Sequence, residues 1–144
     1  MTLKIINNVF VEIRDAKTKE VIGTRETHNL ITTAGLKWVR DLIAGTDTRP
    51  NNIELGTGLT AETVSDTTLE TRVYTAPIDR RVPTLSPPTI AHKMFLGGDD
   101  ANGNTLSEIG LVRGPLLIAR ALLDPVIVKT DLVELTITHE ISVA

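Results

Sequence analysis

The chain has 144 residues, 41% of them apolar and 23% charged, with a formal net charge of −3. That length suits one domain with enough apolar content for a core, and the charge balance gives no reason to expect a nucleic-acid partner, which would need a basic patch. The lack of cysteine excludes disulfides, thiolate catalysis and Cys-based zinc sites.

Residues 4–14 alternate from Val9 to Ile13, with Val9, Val11 and Ile13 on one side. Asp15 to Lys19 reads as a polar turn, and Val21 and Ile22 begin a return strand ending near Thr27, so residues 1–27 are expected to form an N-terminal β-hairpin or arm. Thr33 to Ala44 is the one convincing helix: Thr32 or Thr33 can cap it, and Gly45 sits where a C-terminal glycine belongs. Leu36, Val39, Leu42 and Ile43 form its apolar stripe at helical spacing, with Trp38 on the flank. Asn51 to Leu55 is a short strand stopped by Gly56-Thr57-Gly58. Residues 60–69 are polar, with Ser65-Asp66 placed to cap a single helical turn.

Arg72 to Ile78 reads as a strand, and Arg81 to Pro88, with three prolines, as a stiff surface loop. Thr89 to Leu96 is a strand, Gly97 to Asn104 a turn cluster, and Leu106 to Val112 a strand. Leu116 to Leu123 is a nearly continuous apolar run broken by Asp124-Pro125, after which Val126 to Val128 resumes. From Leu132 to Val143 apolar and polar residues alternate without interruption, which predicts a strand of about 40 Å with one buried and one wet face. Seven or eight strands and one helix predict a mainly β fold, an antiparallel β-sandwich or jelly-roll-like barrel, with residues 28–144 as the core.

Chemistry is sparse. His28, His92 and His139 lie in no metal motif. His139 stands on the apolar face of the last strand, as a hydrogen-bonded core or interface histidine or as a ligand or pH switch where symmetric copies meet. Asp99-Asp100-Ala101-Asn102-Gly103-Asn104 begins like a calcium loop, but an EF-hand needs a glutamate eleven residues after Asp100, where Leu111 stands, and Glu108 comes too early. A hairpin turn with positive φ at Gly103 explains the same residues. Gly56-Thr57-Gly58 completes neither a GxGxxG nor a P-loop pattern. No GxSxG elbow or paired-carboxylate spacing is present, so no catalytic, cofactor-binding or metal residue is assigned and no enzyme activity is expected. Arg80-Arg81 suits an acidic partner or a solvated loop. Aromatics are 3% of the chain, and Trp38, Tyr74, Phe10 and Phe95 are too few to favour a glycan-binding module. No segment reaches the ~18 apolar residues of a membrane span, and the N-terminus reads as lacking a signal peptide, so synthesis in a cytoplasm is expected.

Several segments, taken in order, carry a resemblance. Asn29-Leu30-Ile31-Thr32-Thr33-Ala34-Gly35-Leu36 leads into the helix. It is followed by Asn52 to Gly58, Thr60-Ala61 and Asp66-Thr67-Thr68-Leu69-Glu70. Later come Leu106 to Leu111, Leu117-Ile118-Ala119-Arg120-Ala121 and Asp124 to Thr130. Over residues 29–143 this resembles small tailed-bacteriophage virion proteins, tail-fibre-like or capsid-decoration-like, with "NLxTxAG", "GTG…T…D..L", "E.GL" and "ARA…P..KT" segments. Val112-Arg113-Gly114-Pro115 departs from the longer turn expected there. The resemblance implies a virion structural protein assembled in the host cytoplasm, with no catalytic motif and so no catalytic residue to transfer. A short chain ending in its fold suits a capsid decoration (cement) protein, a homotrimer bound to the major capsid protein; a tail, collar, baseplate or tail-fibre part is the alternative. The projecting segments expected to make contact are the N-terminal hairpin, the Pro-rich loop and the Gly97–Asn104 loop. That hairpin either completes this chain's own sandwich or adds a strand to a neighbour.

Overall fold

A computed structural model describes residues 4–143; Met1 to Leu3 of the expected N-terminal hairpin, and Ala144, lie outside the described residues. The fold is a β-sandwich of two antiparallel five-stranded sheets with a single α-helix. The strands are β1 (Ile5–Asp15), β2 (Val21–His28), β3 (Leu30–Ile31), β4 (Asn52–Gly56), β5 (Arg72–Pro77), β6 (Arg80–Leu85), β7 (Pro88–Leu96), β8 (Asn104–Arg113), β9 (Leu116–Lys129) and β10 (Val133–Val143), and α1 spans Thr33–Ile43. The first sheet runs β2-β1-β10-β7-β6 and the second β3-β9-β8-β4-β5.

The alternating last strand occupies the centre of the first sheet, paired on one side with β1 from Ile5↔Val143 to Asp15↔Val133 and on the other with β7. Its inward parity, Leu135, Ile137 and His139, is buried with Val9, Val11 and Ile13 of β1. Facing them, the second sheet contributes Ile53, Leu55, Leu106, Ile109, Leu111, Ala119 and Ala121. Each such Leu or Ile contributes about 2 kcal/mol by leaving water. Within this single chain the N-terminal hairpin pairs with β10, so β1 is an inner strand of the chain's own sheet.

Four local expectations are corrected. Arg81 to Pro88 is not a loop: Arg80–Leu85 is β6, an edge strand paired with β7, and prolines are tolerated there because the outward edge needs no donor. The Asp124-Pro125 break does not divide the ninth strand. Its pairing with β8 jumps from Glu108↔Leu122 to Leu106↔Ile127, so the proline rides in a bulge, and Arg25 of β2 donates to the Pro125 carbonyl at 2.8 Å. Ser65-Asp66 starts no helical turn; Asp66 instead accepts from the Thr63 amide at 2.9 Å.

The fourth correction concerns α1. Thr32 caps it through the Gly35 amide as the sequence predicts, but the face is rotated. Gly35 and Trp38 are its buried residues, while Leu36 is 56% and Ile43 83% exposed. A Cβ at position 35 would collide with the Ile118 carbonyl of β9, so glycine lets the helix seat directly on that strand. Trp38 then turns inward because its indole N–H reaches the Thr48 carbonyl at 2.8 Å.

The register assigns the connections to ends. The β1–β2 turn, the Gly97–Gly103 loop and the β9–β10 turn gather at one end, where the Ala16 amide donates to Leu132 O and Gly103 N to Lys129 O. The β6–β7 hairpin and the β8–β9 turn lie at the other end, about 33 Å away along β10.

Candidate functional site

The segments around Gly58, Asp66–Thr71, Glu108 and Arg120 meet in one buried knot. Glu108 of β8 is fully buried. Its Oε2 accepts the amides of Gly58 and Thr71, each at 2.8 Å, and its Oε1 accepts Glu70 N and Arg120 Nε, each at 2.9 Å. Arg120 of β9, 2% exposed, reaches on to Asp66 at 3.2 Å. Gly56 and Gly58 are glycines for a direct reason, since a Cβ on either would strike the Glu108 carboxylate. The Gly56-Thr57-Gly58 turn therefore does cradle an anion, but the anion belongs to its own chain. Ser107 Oγ donates to Gly58 O at 2.6 Å, and Leu69 packs over Gly110, Val112 and Leu117. Together these contacts fold the polar 57–71 segment over the outer face of the second sheet, which is why β8 is buried on both sides from Leu106 to Val112.

The electrostatics are those of a closed structural cluster. Burial pushes the Glu108 carboxyl up, but the three amides and Arg120 outweigh it and hold it below the usual carboxylate range. Asp66 is lowered in the same way: burial opposes ionisation, and the Thr63 bonds and Arg120 overcome it. Glu108 has both oxygens committed to donors, leaving none to take a proton from a substrate. Sequence reasoning missed this cluster, although a signal existed. Arg120 is the one charge inside the apolar run Leu116–Leu123, and a charge in a buried strand demands a partner.

The residues singled out from sequence are dispersed. His139 is fully buried and its Nε2 meets Asn29 Nδ2, so in this fold it is a core histidine. Burial, with His92 adding to it, pushes its pKa down to about 3. His92, also buried, donates from Nδ1 to the His139 carbonyl at 3.1 Å. His28 is exposed and bonds Asn8 across the β1–β2 pair. In the Asp99–Asn104 loop, Asp100 accepts the Gly97 amide at 2.9 Å and Gly103 has the positive φ expected. The ammonium of buried Lys129 donates at 2.8 Å both to Asn102 Oδ1 and to Thr130 O, supplying the loop with a built-in cation. Among the described residues no three His, Cys, Asp or Glu side chains gather as metal ligands. Arg81 is half-buried and donates to Pro50 O at 2.6 Å, whereas Arg80 is exposed. Trp38 is buried, Tyr74 is half-buried against the core, and Phe10 and Phe95 lie on the outer parity of β1 and β7.

The surface shows two further features. Leu85 at the β6–β7 tip is 90% exposed, Leu132 in the β9–β10 turn 71%, Leu59 71%, and Ile43 at the end of α1 83%. Beside α1, at the hairpin end, an apolar groove of about 460 Å³ opens between the helix and the first sheet. No helix among the described residues is long and apolar enough to cross a membrane. Comparison of the chain with protein-family models, with curated proteins and with solved structures finds no match.

Proposed function

We propose that the chain is a structural protein of a tailed-bacteriophage virion, and within the particle a decoration (cement) protein that stabilises the shell through β-rich contacts with the major capsid protein and with copies of itself. The observation that carries this reading is a division of labour among side chains. The buried Glu108 carboxylate and Arg120 guanidinium are spent on holding the fold, while large aliphatic side chains project at both ends of the sandwich. Apolar side chains exposed singly are ordinary on any surface, but the contiguous apolar groove of about 460 Å³ beside α1 is surface of the kind that marks contact with another macromolecule. The order of the phage-like segments supports the same reading, since they build the scaffold that holds those projections and not a pocket for chemistry.

The geometry refines which surfaces would act. The β1–β2 turn and the Gly97–Asn104 loop share one end, and the Pro-rich β6–β7 hairpin sits about 33 Å away at the other. One flat contact does not reach all three, so the molecule would bridge two neighbours.

The test is the stoichiometry of this chain in purified particles, measured by quantitative mass spectrometry against the major capsid protein. A ratio near one, or one trimer per few shell subunits, is expected. A few per cent would move the chain to the tail, collar or baseplate, and absence from particles would overturn the virion reading. Trimerisation is read separately by the mass of the purified protein at micromolar concentration.

A further inference from the structure

The groove at the hairpin end has a charge problem that nothing within the described chain solves. Its walls are apolar: Val39 and Leu42 from α1, Ile90 from β7 and Ile141 from β10. Arg49 and Arg81 also line it, and neither has a carboxylate within ion-pair distance among the described residues. Arg81 uses Nη2 on the Pro50 carbonyl at 2.6 Å, but its Nε is buried with no partner. Burial and the neighbouring Arg49 both lower its pKa, the mark of a cation lacking an anion. His92 adds no charge, because burial, with Arg81 beside it, holds the imidazole below its ordinary value. The partly buried Arg81 and the exposed Arg49, neither of them ion-paired, stand beside a concave apolar surface and complement an apolar group that carries a carboxylate.

We infer that this groove is the socket for a segment of a partner protein that presents an aliphatic or aromatic side chain beside an Asp or Glu carboxylate. The inference rests on the assembly reading above and names the chemistry of that contact. A protein segment fits better than a free small molecule because the groove opens at β6, the unpaired edge of the first sheet. Pro83 removes a donor from that edge, so the segment would seat through its side chains in the groove and not by adding a strand.

Trp38 is the sole tryptophan and lines the groove, so its fluorescence reports occupancy directly. The first arm titrates purified protein with octanoate, octanol and octylammonium. Octanoate is expected to shift Trp38 emission at far lower concentration than the other two. Arg49→Gln should weaken octanoate about fivefold, the size of one solvent-touching ion pair. The second arm measures how much Arg49→Gln and the groove-filling Val39→Phe are incorporated into particles relative to wild type, with folding checked by circular dichroism. Reduced incorporation of both folded variants, with charge-selective octanoate binding, supports the socket. Equal response to octanoate and octanol, or no response, overturns it. Arg-dependent octanoate binding with normal incorporation of both variants also overturns it, leaving a small-anion site. Absence of the wild-type chain from particles would instead sink the assembly reading, and the partner with it, while the octanoate result would still stand.

Discussion

Replacing Glu108 with glutamine tests whether the cluster around it forms a folding clamp. The substitution keeps the shape and removes the charge. Glu108 accepts four donors, from Gly58, Glu70, Thr71 and Arg120. A glutamine presents one oxygen and an NH₂ group, so two of those donors would face another donor in a fully buried site. An orphaned buried donor costs about 1–3 kcal/mol, and a broken buried ion pair about 3–5 kcal/mol. A loss of about 3–5 kcal/mol is expected, a large share of the ~5–15 kcal/mol that holds a domain of this kind. At about 2–4 °C per kcal/mol, Tm should fall by about 6–20 °C. Urea unfolding followed by Trp38 fluorescence and circular dichroism measures it. The double variant Glu108→Leu/Arg120→Leu separates the ion pair from the cradle. If only the pair mattered, an apolar replacement would restore stability. Because the Gly58, Glu70 and Thr71 amides would still lack an acceptor, the double variant should remain destabilised. A loss below about 1 kcal/mol for Glu108→Gln, or full recovery in the double variant, would refute the clamp.

Three further outcomes follow from the geometry. His139 has its folded pKa depressed from 6.5 to about 3, so the unfolded chain binds the extra proton first and stability should decline as pH falls from about 6.5 toward 3. The gap corresponds to about 5 kcal/mol at most; His139→Gln should flatten the pH dependence of the urea midpoint in that window, and an unchanged slope would count against the buried neutral histidine. Gly35→Ala should cost about 2–3 kcal/mol because the new methyl meets backbone on β9, whereas Gly45→Ala, with φ +74° but open space, should cost about 1 kcal/mol; equal effects in thermal melts would contradict the close seating of α1. Millimolar calcium should leave Tm unchanged, because the Lys129 ammonium already bonds the Asp99–Asn104 loop, and Lys129→Met should lower Tm by several degrees as Asn102 and Thr130 lose their donor. A calcium-dependent rise in wild-type Tm would reverse that assignment.

Local pattern was enough wherever one residue type answers to one geometric need. The alternation from Val133 to Val143 specified a half-buried strand because a period of two admits no other face assignment. Thr32 and Gly45 marked the ends of α1 because a capping hydroxyl and a left-handed C-terminal residue are local requirements. The β-sandwich class followed from the number and spacing of such segments. Local pattern failed where a distant contact made the decision. The stripe Leu36, Val39, Leu42 and Ile43 was a valid amphipathic face, but the Ile118 carbonyl admits only Gly35 at the seam, so Val39 stays packed against the core while Leu36, Leu42 and Ile43 turn outward. The prolines of β6 and the Asp124-Pro125 pair look like strand breakers in one dimension; an outer edge and a bulge absorb them in three. Glu108 and Arg120 each stood in the open as a charge in an apolar strand, yet their union with Gly58, Asp66 and Thr71 required the β8–β9 pairing and the overlying 57–71 segment to exist first. The unneutralised Arg49 and Arg81 beside the apolar groove are likewise invisible to pattern, since charge pairing depends on distances that only the assembled fold defines.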